Sequence, residues 1–257
     1  MSRLVFSGSI FALLTACGGG EKPTLTTTVV DPWGNGVAGA TLAVAGSDAT
    51  HTTNDQGQVV LPLMAQEYAF TVSGEGLIDA TKTVSFEKAE GKQTASIDVV
   101  PVPEKAGYHV IGEAGYAAVG SQVVRTVGND LMSHYGIDSA GETLPKADTI
   151  RVVYNTPLPK DELARLDLEL HKLTFLEEMD LKTAEGNEKV EVDMWVSAGP
   201  ITFDRAQLGG SDDNYLFSLN GLEPGAYAFV TQGLLRPATA DAFAANPSKK
   251  VHAFRVE

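Results

Sequence analysis

Residues 67–73 read EYAFTVS, and the step of their apolar side chains decides the fold class. Tyr68, Phe70 and Val72 alternate with Thr71 and Ser73. That period of two puts the three large side chains on one face of an extended strand, directed inward. The stretches on either side have the same character. TLTTTVVD (24–31), VAGATLAVAG (37–46), THTT (50–53), QVVLPL (58–63), ATKTVSF (80–86) and QTASIDVV (93–100) are short and mostly β-branched. Turn residues separate them, such as PWGNG (32–36) and Asn54-Asp55-Gln56-Gly57. In the latter an Asx side chain bonds the local backbone and glycine accepts positive φ. Seven short strands over residues 24–100 predict an antiparallel β-sandwich.

The order VVDPWGNGVAGATLAV (29–44), TTNDQGQVVLPL (52–63) and EYAFTVSGEGL (67–77) resembles the carboxypeptidase-regulatory, prealbumin-like domain, and also bacterial invasin-type Ig repeats. Shared features are a strand ending in Asp31, a Gly-rich turn, a V-x-G-A-x-V-like run, a hairpin carrying Asp and Gly, and a tyrosine that opens the next strand. The chain departs from the pattern at Leu42, at Asn54 and at Gln66-Glu67, where Pro-Gly or Gly is usual. The resemblance implies a carbohydrate-binding-like or Ig-like fold. It leaves function open, because such modules serve as spacers, adhesins and sugar- or protein-binding units.

PVPEKAGY (101–108) is punctuated by proline, so 101–107 reads as a linker and 108–257 as a second domain. Strands are expected at 108–112, 148–155, 164–177, 189–199, 214–220, 225–233 and 250–256. Within 164–177, Leu166, Leu168 and Leu170 are followed by Leu173 and Phe175. The break in phase at His171-Lys172 predicts a bulge. In 189–199, Val190, Val192, Met194 and Val196 share one face and Trp195 the other. LEPGAYAFVTQGLL (222–235) repeats the Tyr-Ala-Phe of residues 68–70, which is compatible with a duplication and with a second β-sandwich. Two stretches carry helical signals: SQVVRTVGNDLMSHYG (121–136), with apolar residues about four apart but three valines and Gly128 against it, and ATADAFAANP (238–247). The fold class expected is therefore all-β, two β-sandwich domains, the second larger and carrying one or two short helices.

The first sixteen residues hold one charge, Arg3, and an apolar core from Leu4 to Leu14. This is the layout of a secretory signal peptide (1–16), too short for a permanent span of roughly 20 residues. Leu14-Thr15-Ala16-Cys17 resembles the lipobox of bacterial lipoproteins, and Cys17 is the only cysteine. The resemblance implies cleavage between Ala16 and Cys17 and a covalent lipid on Cys17. Each buried methylene contributes about 0.8 kcal/mol, so two or three acyl chains anchor firmly. Residues 17–23, GGG after the cysteine and then EKP, form a flexible lipidated tether. Gly18 in place of aspartate favours the outer membrane by enterobacterial sorting rules. Whether the protein faces the periplasm or the exterior stays open, as does the oligomeric state.

A formal charge of −14 argues against nucleic acid as a partner, since phosphate is bound by Lys and Arg. It argues equally against lying flat on anionic lipid. The five histidines show no metal-ligand spacing, and neither a catalytic serine motif nor a nucleotide loop occurs. No catalytic residue, metal site or cofactor is assigned. Asp212, Asp213 and Asn214 in GGSDDNY (209–215) could offer oxygen ligands to calcium, although exposed loop polarity explains them as well. Glu177-Glu178 and Asp167-Glu169 read as a solvated face. Trp33 and Trp195 are candidate carbohydrate contacts. The expected function is a membrane-anchored, non-catalytic recognition or scaffolding module of the cell envelope with a protein or polysaccharide partner. The alternatives are a carbohydrate-binding envelope protein, or an enzyme housed in residues 102–257.

Overall fold

A computed structural model describes residues 22–129, 132–158, 165, 167–207, 214–246 and 248–257. The protein is all-β. Its first nine strands are β1 (Thr24–Val30), β2 (Thr41–Val44), β3 (Thr50–Thr52), β4 (Gln58–Pro62), β5 (Glu67–Ser73), β6 (Leu77–Ile78), β7 (Ala80–Ser85), β8 (Lys92–Asp98) and β9 (Val100–Pro101). A three-stranded sheet β4-β1-β8 faces a four-stranded sheet β3-β2-β5-β7. Leu25, Leu61 and Ile97 of one meet Leu42, Phe70 and Val72 of the other in a single apolar cluster. Tyr68, Phe70 and Val72 point inward as their alternation requires, with Phe70 and Val72 each 1% exposed.

The seven expected strands build these two sheets, and β6 pairs with β9 as a short addition. One expectation is corrected. The sandwich is not wholly antiparallel, because β1 and β8 run parallel from Thr24↔Lys92 to Val30↔Asp98. The chain crosses from one sheet to the other between β7 and β8, so no hairpin forces its direction to reverse. The Asn54 turn forms as predicted: its Oδ1 accepts from the backbone N–H of Gln56 at 3.0 Å and of Gln58 at 2.8 Å.

Thirteen further strands follow: β10 (Gly107–Ile111), β11 (Tyr116–Ala118), β12 (Ser121–Val123), β13 (Arg125–Asn129), β14 (Met132–Ile137), β15 (Glu142–Leu144), β16 (Thr149–Asn155), β17 (Glu169–Thr183), β18 (Gly186–Ile201), β19 (Asp204–Gln207), β20 (Asn214–Asn220), β21 (Gly225–Val230) and β22 (Lys250–Val256). They form a five-stranded sheet, β11-β10-β16-β20-β19, and an eight-stranded sheet, β12-β22-β21-β17-β18-β14-β13, with β15 beside β22. Tyr108, Val152 and Phe217 of the first pack on Leu170, Phe229 and Phe254 of the second. The opposite face of the larger sheet is covered too. Ala226, Ala228 and Ala253 present small side chains there, on which Ile137, Leu234 and Leu235 settle.

Residues 121–136 are not helical. They run through β12 and the β13–β14 hairpin, paired from Arg125↔Gly136 to Asn129↔Met132. Val123, Val124 and Val127 prefer the pleated surface, and Gly128 disfavours a helix interior. The second helical expectation holds: α1 (Ala240–Ala245) starts at Thr239, whose Oγ1 accepts the Ala242 N–H at 3.1 Å. No helix among the described residues is long and apolar enough to cross a membrane.

Candidate functional site

The long hairpin β17–β18 carries the site. Its register shifts between Lys172 and Leu173, and again between Leu176 and Glu178. The first shift falls where the leucine phase breaks, but the extra residue, Ala198, is on β18. Phe175 and Trp195 are cross-strand partners on the hairpin, with ring centroids 5.2 Å apart. From β22, next to β21 in the same sheet, Arg255 reaches over small Ala226, its register partner. Its guanidinium lies 5.1 Å above the Trp195 ring. A cation over an indole face is attracted by the ring quadrupole and held in one orientation.

These three side chains line a groove of about 380 Å³ with Pro224 and Glu257 on its rim. Phe175 is 42% exposed, while Trp195 is half-buried against the Leu173–Ala228 cluster. The open ring is therefore that of Phe175, and Trp195 is the wall behind it. Phe175 was hidden in the sequence because a strand residue facing an apolar cluster and one facing solvent have the same local pattern. Its only signal is its position opposite Trp195. A groove with an open aromatic ring, an indole wall and a fixed cation suits a ligand with alternating apolar and hydroxylated faces.

Trp33 does not join this groove. Its indole N–H donates to Gly112 O at 2.9 Å, and its ring meets Tyr116 edge-on at 5.3 Å. Tyr116 in turn donates to Pro101 O at 2.5 Å. Burial pushes the Tyr116 hydroxyl up to about 12, so it stays a donor throughout the physiological range. Trp33 thus ties the loop after β1 to the turn after β10. The two tryptophans do not converge.

Ala16 and Cys17 lie outside the described residues, as do Asp212 and Asp213. Asn214 opens β20 and is buried, 4% exposed. Among the described residues no cluster of three or more His, Cys, Asp or Glu could hold a metal ion. Glu169 departs from the expected solvated face, since its carboxylate turns to the buried His171.

No family model matches the sequence, and no curated protein matches it. Among solved structures, it is similar to a "putative carbohydrate binding protein" from Bacteroides uniformis, at 11% identity and a TM-score of 0.26 over 82% of this chain and 88% of the other. It is also similar to BcpA, the major pilin subunit of Bacillus cereus, at 11% identity and a TM-score of 0.28 over 92% and 68% of the two chains. The Caf1A usher C-terminal domain aligns at 15% identity and a TM-score of 0.27, over 31% of this chain and 99% of that domain.

Proposed function

We propose that the protein is an envelope-tethered recognition module that holds polysaccharide in the Phe175–Trp195–Arg255 groove. Two sandwich modules, residues 24–100 and 108–257, stand on the lipidated tether 17–23, with the lipid on Cys17 and no cofactor. The observation that carries the reading is the open Phe175 ring backed by Trp195, with the Arg255 guanidinium laid across the indole. Pyranose rings offer an apolar C–H face to such a ring and hydroxyls to the guanidinium donors. The acidic surface keeps neighbouring anchored copies apart.

Co-sedimentation of the mature chain with purified cell-wall sacculi tests this. The wild type should pellet with the glycan, and Phe175→Ala should weaken that by roughly five- to thirtyfold, the effect of losing one aromatic anchor. Equal pelleting of the two proteins, or none by either across sacculi and capsular glycan, would remove the proposal.

A further inference from the structure

A second constellation lies on the same face of the larger sheet, beside the groove but separate from it. His171 is 1% exposed. Its Nε2 is 2.8 Å from Glu169 Oε2, and its Nδ1 is 2.6 Å from Ser197 Oγ. A carboxylate only accepts hydrogen bonds, so the ring proton sits on Nε2 and Nδ1 is left as the acceptor for the Ser197 O–H. The three side chains therefore form a directed row in which the hydroxyl proton has a base to go to.

The backbone is shaped to bring them together. Glu169 and His171 are two apart on β17 and share a face. Ser197 joins that face through the bulge: Lys172 pairs with Gly199 and Leu173 with Ser197, leaving Ala198 unpaired. Were the ladder to run on without a bulge from Lys172↔Gly199, Ala198 would stand opposite Leu173, and Ser197 would fall opposite Thr174 on the other side of the sheet. Small Ala228, opposite His171 on β21, leaves room for the ring.

Ser197 opens on a cleft of about 440 Å³ walled by Ser133, His134, Tyr135 and Arg236. The Arg236 guanidinium has no carboxylate partner among the described residues, and its Nη1 lies 3.7 Å from where a β-carbon on Gly199 would be. The Nε2 of His134 is buried and has no hydrogen-bond partner among the described residues. A hydroxyl with a base behind it and an unpaired cation beside it is the arrangement that acyl transfer uses.

We infer that Ser197 is a nucleophile toward carboxylic esters with a polar alcohol half, with His171 as its base and Glu169 as a positioning residue. Ser197 Oγ attacks the ester carbonyl carbon as its proton passes to His171 Nδ1, and negative charge develops on the carbonyl oxygen near Arg236. The carbon–oxygen bond to the alcohol then breaks, and the alcohol leaves with the proton from His171. Water, giving a proton to His171, hydrolyses the acyl-serine and frees the carboxylic acid, and the proton returns to Ser197. This activity goes beyond recognition, and none of its residues lines the Phe175 groove.

Treating the mature chain with a fluorophosphonate probe, followed by peptide mass analysis, tests it. The expected result is one adduct, on Ser197, absent in Ser197→Ala and slowed at least about a hundredfold in His171→Gln. Glu169→Gln should retain labelling at a reduced rate with an altered pH profile, which loss of a purely structural contact would not give. A folded wild type that acquires no adduct on Ser197, alongside a serine hydrolase that labels under the same conditions, would overturn the inference. So would labelling that persists unchanged in Ser197→Ala. Either failure leaves sacculus binding by Phe175 untouched, so the two readings fall separately.

Discussion

Gly141 has a φ of +76°, and a β-carbon there would sit 1.9 Å from Ala253 O. Both the left-handed backbone and the close approach of β22 require glycine. Gly141→Ala should therefore lower stability by about 2–4 kcal/mol in urea unfolding, well above an ordinary surface change. Gly57 was legible in advance, because it closes the Asn54 turn only three residues along the chain. Gly141 was not, since the carbonyl that excludes a side chain belongs to a distant strand. His252 gives a pH prediction. Burial beside Tyr108 holds its pKa below 6.5, with Lys250 adding to the shift, against its hydrogen bond to Val119 O. The folded state thus binds its proton less readily than the unfolded chain. Its contribution is complete above pH 6.5 and is lost as pH falls through the lower folded value. Urea midpoints of wild type and His252→Gln should diverge least at low pH, with the variant showing the shallower decline below pH 6.5.

At the scale of elements, the two Tyr-Ala-Phe strands share more than three letters. The Tyr68 hydroxyl accepts from Met64 N–H at 2.6 Å, four residues upstream. The Tyr227 hydroxyl donates to Glu223 O at 2.7 Å, also four upstream. Each ring pins the turn that feeds its strand. Tyr68→Phe and Tyr227→Phe should each cost about 1 kcal/mol, with Tyr68→Phe the larger because it removes the acceptor of two backbone N–H groups, those of Met64 and Ala65. Strands with a clean period of two, such as β5 and β20, could be read directly from the sequence. The 121–137 segment could not, because valines about four apart satisfy a helical spacing while their pairing partners on β18 and β22 lie far along the chain. The bulge is an intermediate case: the leucine phase located it, but only the pairing shows that Ala198 carries the extra residue.

For the whole molecule, fold class was the most legible property and ligand the least. Alternating strands declare a sandwich locally, whereas the groove is assembled from β17, β18 and β22. Trp195 was visible as a candidate, but its companions Phe175 and Arg255 become so only when β22 is placed near the hairpin. Trp33, equally prominent in sequence, is spent on a hydrogen bond to Gly112 O. The lipid anchor proposed at Cys17 makes a separate prediction: palmitate label and membrane association should both be lost in Cys17→Ala. Glycan binding at the groove is tested most directly by tryptophan emission of the mature chain titrated with soluble cell-wall glycan fragments, with Trp33→Phe used to isolate Trp195. Saturable change in Trp195 emission, shifted at least fivefold to higher glycan concentration by Phe175→Ala, is the predicted result. Emission that does not respond, or responds identically in the two proteins, would contradict glycan recognition at this groove.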